Sequence, residues 1–127
     1  VILKEGTDIT LFTTGDILSE VVKASEILES KGYSVEVVDL PVVKPLDINT
    51  VINSSNKSKH VFTIENHSII GGLGSAVCEC LSENAPKLVH RIGVNDSFGQ
   101  SGTPNELLKC YGLDAESITN RIIELIK

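Results

Sequence analysis

The chain has 127 residues, 41% hydrophobic and 22% charged, which suits one soluble globular domain with a single well-buried core. Its 17 acidic residues against 11 basic ones give a net charge of −6. The cations are scattered, with no cluster longer than Lys57-Ser58-Lys59, which excludes the basic stripe of a nucleic-acid binder. No apolar run approaches the ~20 residues of a membrane span, and Val1 to Gly6 has neither the basic nor the apolar region of a signal peptide. The chain does not begin with Met, so residues 1–127 are expected to be one domain cut from a longer protein. Cys78, Cys80 and Cys110 are odd in number and lack Cys-x-x-Cys spacing, which predicts reduced thiols and a cytoplasmic setting.

Strand and helix signals alternate along the chain. Ile9 to Thr13 is rich in β-branched and aromatic residues and stops at Gly15. Asp16 is placed to cap the next helix, where Ile17, Val21, Ala24 and Leu28 recur at helical spacing before Gly32 ends it. Ser34 to Leu40 reads as a strand, which Pro41 and Pro45 prevent from continuing. Asp47 is placed to cap a short helix carrying Ile48, Val51 and Ile52, followed by a polar connector from Asn53 to Lys59. Val61 to Glu65 is the third strand, Gly72 to Glu83 its helix, and Lys87 to Ile92 the fourth strand. Gly93 to Gly102 has turn composition, and Thr103-Pro104-Asn105-Glu106 has the cap, proline and acid of a helix start. A last helix begins near Asp114 and carries Ile118, Ile122, Leu125 and Ile126. Strands separated by helices predict a mostly parallel sheet covered on both faces.

Candidate sites gather where strands end. At Phe12-Thr13-Thr14-Gly15-Asp16 only one glycine of a dinucleotide fingerprint is present. Asp16 and Glu20 there satisfy the positive helix end and would repel a phosphate, so a nucleotide site is disfavoured and Asp39 reads as a turn residue. Gly71-Gly72-Leu73-Gly74 opens a helix with no acid before Glu79, so its amides could face a phosphate or a carboxylate. The competing reading, and the favoured one, is that these glycines allow close packing on the sheet or on another subunit.

Glu65 and His67 stand two apart and would share one face of a strand, a pairing able to do acid–base work. No nucleophile motif accompanies them, so a hydrogen-bonded edge or interface pair is favoured. His60 and His90, at strand starts, read as exposed or packing residues. Cys78 and Cys80 point to different helix faces, which disfavours a metal site. Around Asp96, the loop Asn95 to Gly102 strands the apolar Phe98 among polar residues, the composition of a contact surface.

Several segments in order resemble the C-terminal domain of transketolases along nearly the whole chain. They are Gly6-Thr7-Asp8-Ile9-Thr10-Leu11 with Thr14-Gly15, then Val38-Asp39-Leu40-Pro41 with Lys44-Pro45-Leu46-Asp47. Glu65-Asn66-His67-Ser68 with Gly71-Gly72-Leu73-Gly74-Ser75-Ala76-Val77 follows the family's Glu-x-His-x-x-x-Gly-Gly-Leu-Gly form, apart from Asn66 where Glu is frequent. Asn95-Asp96-Ser97-Phe98-Gly99-Gln100-Ser101-Gly102, Leu107-Leu108 and Tyr111-Gly112-Leu113 resemble its tail, most closely that of the small C-terminal subunit of split transketolases.

The resemblance implies a three-layer α/β/α domain with a mostly parallel, five-stranded mixed sheet and one antiparallel edge strand at Val1 to Lys4 or nearby. It implies a transferase of the pentose phosphate pathway that moves a two-carbon ketol unit between sugar phosphates, with thiamine diphosphate and Mg²⁺ or Ca²⁺ supplying the chemistry. In that family the cofactor and metal are held by the pyrimidine- and diphosphate-binding domains, across a dimer interface, and the metal-binding Gly-Asp-Gly is absent here. No catalytic, cofactor-binding or metal residue is therefore expected in this chain, which would be inactive alone and would serve homodimer or split-subunit assembly. Glu65, His67, Gly71, Gly72, Gly74, Asp96 and Phe98 are the candidate interface or anion-site residues. The near alternatives are the third domain of a deoxyxylulose-phosphate synthase and the β subunit of a 2-oxo acid dehydrogenase. The alternative of another class is a stand-alone phosphate-binding module built on Gly71 to Gly74.

Overall fold

The architecture was obtained as a computed structural model, which describes residues 1–41, 43–68, 72–94 and 108–127, without the side chains of residues 16, 67, 68 and 94. Five strands form one sheet: β1 (Ile2–Lys4), β2 (Ile9–Thr13), β3 (Val35–Asp39), β4 (His60–Ser68) and β5 (Val89–Val94). Their order is β1-β3-β2-β4-β5. β1 runs antiparallel to β3 at one edge, and every other pairing is parallel. The antiparallel edge strand expected near Val1 to Lys4 is present, held by Asp39 N donating to Val1 O at 2.8 Å.

The helices are α1 (Leu18–Ser30), α2 (Ile48–Lys57), α3 (Leu73–Asn84) and α4 (Ala115–Ile126). Strand alternation sends side chains to two cores. Ile9, Leu11, Val35, Val37, Phe62 and Ile64 pack with Val21, Leu28, Ile118 and Ile122 of α1 and α4. Phe12, Val38 and Val61 pack with Val51 of α2 and Leu73, Val77 and Leu81 of α3. The result is the three-layer α/β/α arrangement, and among the described residues no helix is long and apolar enough to cross a membrane.

Local chemistry sets the helix ends. Past α1, Gly32 adopts φ +96, while its amide reaches Glu29 O and that of Tyr33 reaches Leu28 O, the paired bonds of a Schellman stop. A helical stretch at residues 108–110 stops in the same way, with Gly112 at φ +72, Gly112 N donating to Lys109 O and Leu113 N to Leu108 O. The start signal read at Thr103 to Glu106 lies outside the described residues. Asp47 caps α2 as expected, accepting from Thr50 N at 3.2 Å and from Thr50 Oγ1 at 2.8 Å.

Three expectations are corrected. α1 is entered through a 3₁₀ turn at Gly15–Ile17, so its cap position is Ile17 and not Asp16. The segment Asn53 to Lys57, expected as connector, continues α2. Tertiary contacts override its weak propensity: Ser54 and Ser55 are buried, Thr10 Oγ1 donates to Ser54 O, and Lys57 pairs at 2.7 Å with the buried Glu36. β5 begins at Val89 rather than Lys87, and the Lys87 Nζ donates to Ser55 O and Ser58 O at the end of α2.

Candidate functional site

β4 carries its ladder past the apolar run, to Ser68, which pairs with Val94 of β5 after a register irregularity beyond Ile64. Glu65 thus lies at the C-terminal part of a central parallel strand, where open α/β sheets place their sites. Alternation puts it on the same face as Val61, which packs with α3.

The carboxylate of Glu65 is 1% exposed and closes on the start of α3. Oε1 accepts from Leu73 N at 2.9 Å and Oε2 from Gly74 N at 2.8 Å. Gly72 is the cap position and offers no side chain, so an acid from the preceding strand serves two of the amides that a helix start leaves unpaired. The anion that two of these amides face is the chain's own carboxylate. A phosphate here would have to displace Glu65, and a diphosphate cofactor does not fit two amides already engaged by a buried acid. The same geometry removes Glu65 from acid–base work, since both of its oxygens are held in a positioning role.

Gly74 also meets the close-packing reading. A Cβ placed on it would stand 2.9 Å from Arg91 Cδ, 3.0 Å from Arg91 Cγ and 3.0 Å from Thr63 Oγ1. The glycine lets α3 approach β4 and β5. Of the other candidates, His67 is within β4 but its side chain is not among those described, and Gly71, Asp96 and Phe98 lie outside the described residues. Among the described residues no group of three His, Cys, Asp or Glu side chains could hold a metal ion.

His60 and His90 are half-buried, and His90 stacks on Phe62 with ring centroids 5.0 Å apart. Burial, and then the neighbouring His60 and Arg121, hold the His90 pKa below the ordinary histidine value. Burial likewise raises the Cys78 and Cys80 thiols above theirs, which makes them poor nucleophiles. Two ties were not read from the sequence. Glu20 stands in the first turn of its own helix, where it pairs with Lys23, and its Oε1 also accepts from Ala115 N at 3.1 Å, at the start of α4; Glu36 sits buried beside Lys57. A lone acid inside the apolar run Val35-Glu36-Val37-Val38 was the available signal for the second, and no local signal exists for the first.

Comparison with known proteins supplies the context for this geometry. The sequence pattern described as "Transketolase, C-terminal domain" matches residues 1–118. The chain belongs to the transketolase C-terminal domain family. A putative transketolase C-terminal section of Methanocaldococcus jannaschii is 47% identical over 127 residues, which cover 99% of this chain and 39% of that protein. A 6-deoxy-6-sulfo-D-fructose transketolase subunit from a Clostridium species is 42% identical over 124 residues, covering 98% of this chain and 38% of the subunit. The solved structure of a split-gene transketolase, an inactive beta4 tetramer, superposes with a TM-score of 0.92 at 42% identity, over 98% of this chain and 41% of that one. This transketolase C-terminal domain therefore spans about two fifths of the length of those relatives.

Proposed function

We propose that this domain is the C-terminal part of a thiamine diphosphate-dependent transketolase that moves a two-carbon ketol unit between sugar phosphates in the pentose phosphate pathway of the cytoplasm. Its work is assembly, and it is inactive alone. Thiamine diphosphate and its divalent metal are held by the pyrimidine- and diphosphate-binding parts of the enzyme, joined to this domain in a homodimer or split-subunit complex. The observation that carries the reading is the likeness, at TM-score 0.92 and 42% identity, to a split transketolase whose beta4 tetramer is described as inactive. The engagement of both Glu65 oxygens supports it, because the acid most suited to chemistry is spent on orienting α3. We assign the partner contact to the segments that carry the glycine turn, His67, Asp96 and Phe98.

The test mixes this chain with the remaining parts of its enzyme, with thiamine diphosphate and Mg²⁺, and follows ketol transfer beside sedimentation. Neither portion alone should turn over, and the mixture should form a complex and gain activity. Turnover by this chain alone, or full activity and assembly of the remainder without it, would overturn the proposal.

A further inference from the structure

β5 is the last strand in the sheet order, and no described strand pairs along its outer edge. A cleft of about 790 Å³ opens between the C-terminal half of β5 and the outward face of α4. Arg91, Ile92 and Gly93, three successive residues, all line it. Successive side chains of a strand point to opposite faces of the sheet. Here the stem of Arg91 lies against Gly74 of α3, while Ile92 packs into the core under α1 and α4. One cleft meets all three residues only where the main chain of the strand edge forms its wall.

The opposite wall is helical. Ser117, Asn120, Arg121 and Glu124 of α4 fall three and four apart and so share a face. The cleft is therefore a groove between a strand edge and a helix. A strand turns the N–H and C=O of alternate residues to its outer edge, so either Ile92 or Gly93 presents both. A second extended main chain, about 4.8 Å away, answers that donor and acceptor together. Neither proline nor lysine stands in Val89–Val94 to block such pairing.

The helical wall selects the side chains of the occupant. Arg121 is 56% exposed and meets Glu124 at 3.6 Å, a loose surface pair that another carboxylate can exchange. Ser117 and Asn120 add neutral donors and acceptors. Every second residue of an added strand would face α4, so an acid opposite Arg121 with small polar residues on either side suits this wall. We propose that the groove binds an extended segment of another polypeptide, added beside β5 as a sixth strand, with an acidic side chain turned to Arg121. The surface is separate from the α3 start, and it stands whether or not the assembly role does.

The experiment titrates the isotopically labelled chain with the blocked peptide acetyl-Ser-Val-Glu-Val-Thr-Ser-amide, followed residue by residue by NMR. Beside it run the same peptide with Gln for Glu, and one N-methylated throughout, which keeps the side chains but cannot donate to β5. The Glu peptide should half-saturate at or below about 1 mM. It should shift residues 91–93 and 117–124 and slow amide exchange at Ile92 or Gly93, and the N-methylated peptide should not bind. The Gln peptide should bind about three- to five-fold more weakly, as loss of an exposed charge pair allows. Arg121→Gln should erase that difference, whereas Lys59→Gln, ahead of β4 at the other end of the sheet, should preserve it. No saturable shift with the Glu peptide, shifts centred on the α3 start, equal binding of the N-methylated peptide, or a preference for Glu that survives Arg121→Gln would each overturn the proposal.

Discussion

Gly74 N donates to Oε2 of Glu65 across 2.8 Å, which ties the first turn of α3 to the strand that precedes it. The second oxygen takes Leu73 N, so one carboxylate holds two amides of the first turn of α3. Hydrogen bonds to a charged group contribute about 1.5–3 kcal/mol each, and loss of a helix cap costs about 0.5–2 kcal/mol. Glu65→Ala should therefore lose about 2–3 kcal/mol in urea unfolding. Glu65→Gln should lose less, because its one oxygen still accepts one amide while its NH₂ opposes the other. Equal stability of wild type and Glu65→Ala would show that the cap is not a stabilising contact.

Gly74 is a fold residue before it is an interface residue. Valine there must push aside Arg91 Cδ, at 2.9 Å, and the buried Thr63 Oγ1, at 3.0 Å. Overpacking of this kind costs about 1–3 kcal/mol. Gly74→Ala meets the same atoms with one carbon and regains about 1 kcal/mol of helix propensity, so it should lose less than Gly74→Val. Thermal unfolding of the two variants tests this, and a Gly74→Val protein as stable as wild type would refute it. Loss of assembly in Gly74→Val therefore reports on folding as well as on the interface.

α1 and α4 are joined through Glu20, whose Oε1 accepts from Ala115 N at 3.1 Å. Asp114 occupies the cap position of α4 but makes no side-chain cap bond, so the acid comes from 95 residues away. Glu20→Ala should cost about 0.5–2 kcal/mol, as loss of a cap does, and should speed amide exchange in the first turn of α4. Glu20→Gln keeps an acceptor and should retain most of the protection. Unchanged exchange at Ala115 to Ser117 in Glu20→Ala would show that the contact does not hold the helix start.

Periodicity made the layers legible. Ile9 to Thr13, Val35 to Asp39 and the Ile118 and Ile122 stripe were read within a residue or two because each segment's local preference agrees with its burial. The errors fall where a distant partner decides. Asn53 to Lys57 has the composition of a connector, but Glu36 on β3 and Lys87 ahead of β5 hold it helical. The glycines were legible as a helix start with amides to offer and room for close packing; Leu73 N and Gly74 N give theirs to Glu65, and Gly74 packs on β4 and β5. What could not be read is which carboxylate goes where, because Glu65 and Glu20 look alike as letters and differ by the helix each one faces.

His90 gives a pH signature. Its imidazole lies against Phe62, and burial first, then His60 and Arg121, disfavour its protonated form in the fold. The unfolded chain, with histidine near its ordinary value of about 6.5, then binds a proton that the folded chain does not. Stability from this group is fully present above the unfolded value. It is lost progressively as pH falls toward the folded pKa, and does not fall further below that. Following the His90 ring by NMR should give an inflection below that of an exposed histidine. Arg121→Gln removes one of the two charges that oppose protonation and should move the inflection upward. The drop in thermal midpoint from about pH 7.5 to about pH 5.5 should shrink in His90→Gln. A His90 inflection at or above the exposed value, unmoved by Arg121→Gln, would refute this account of its surroundings.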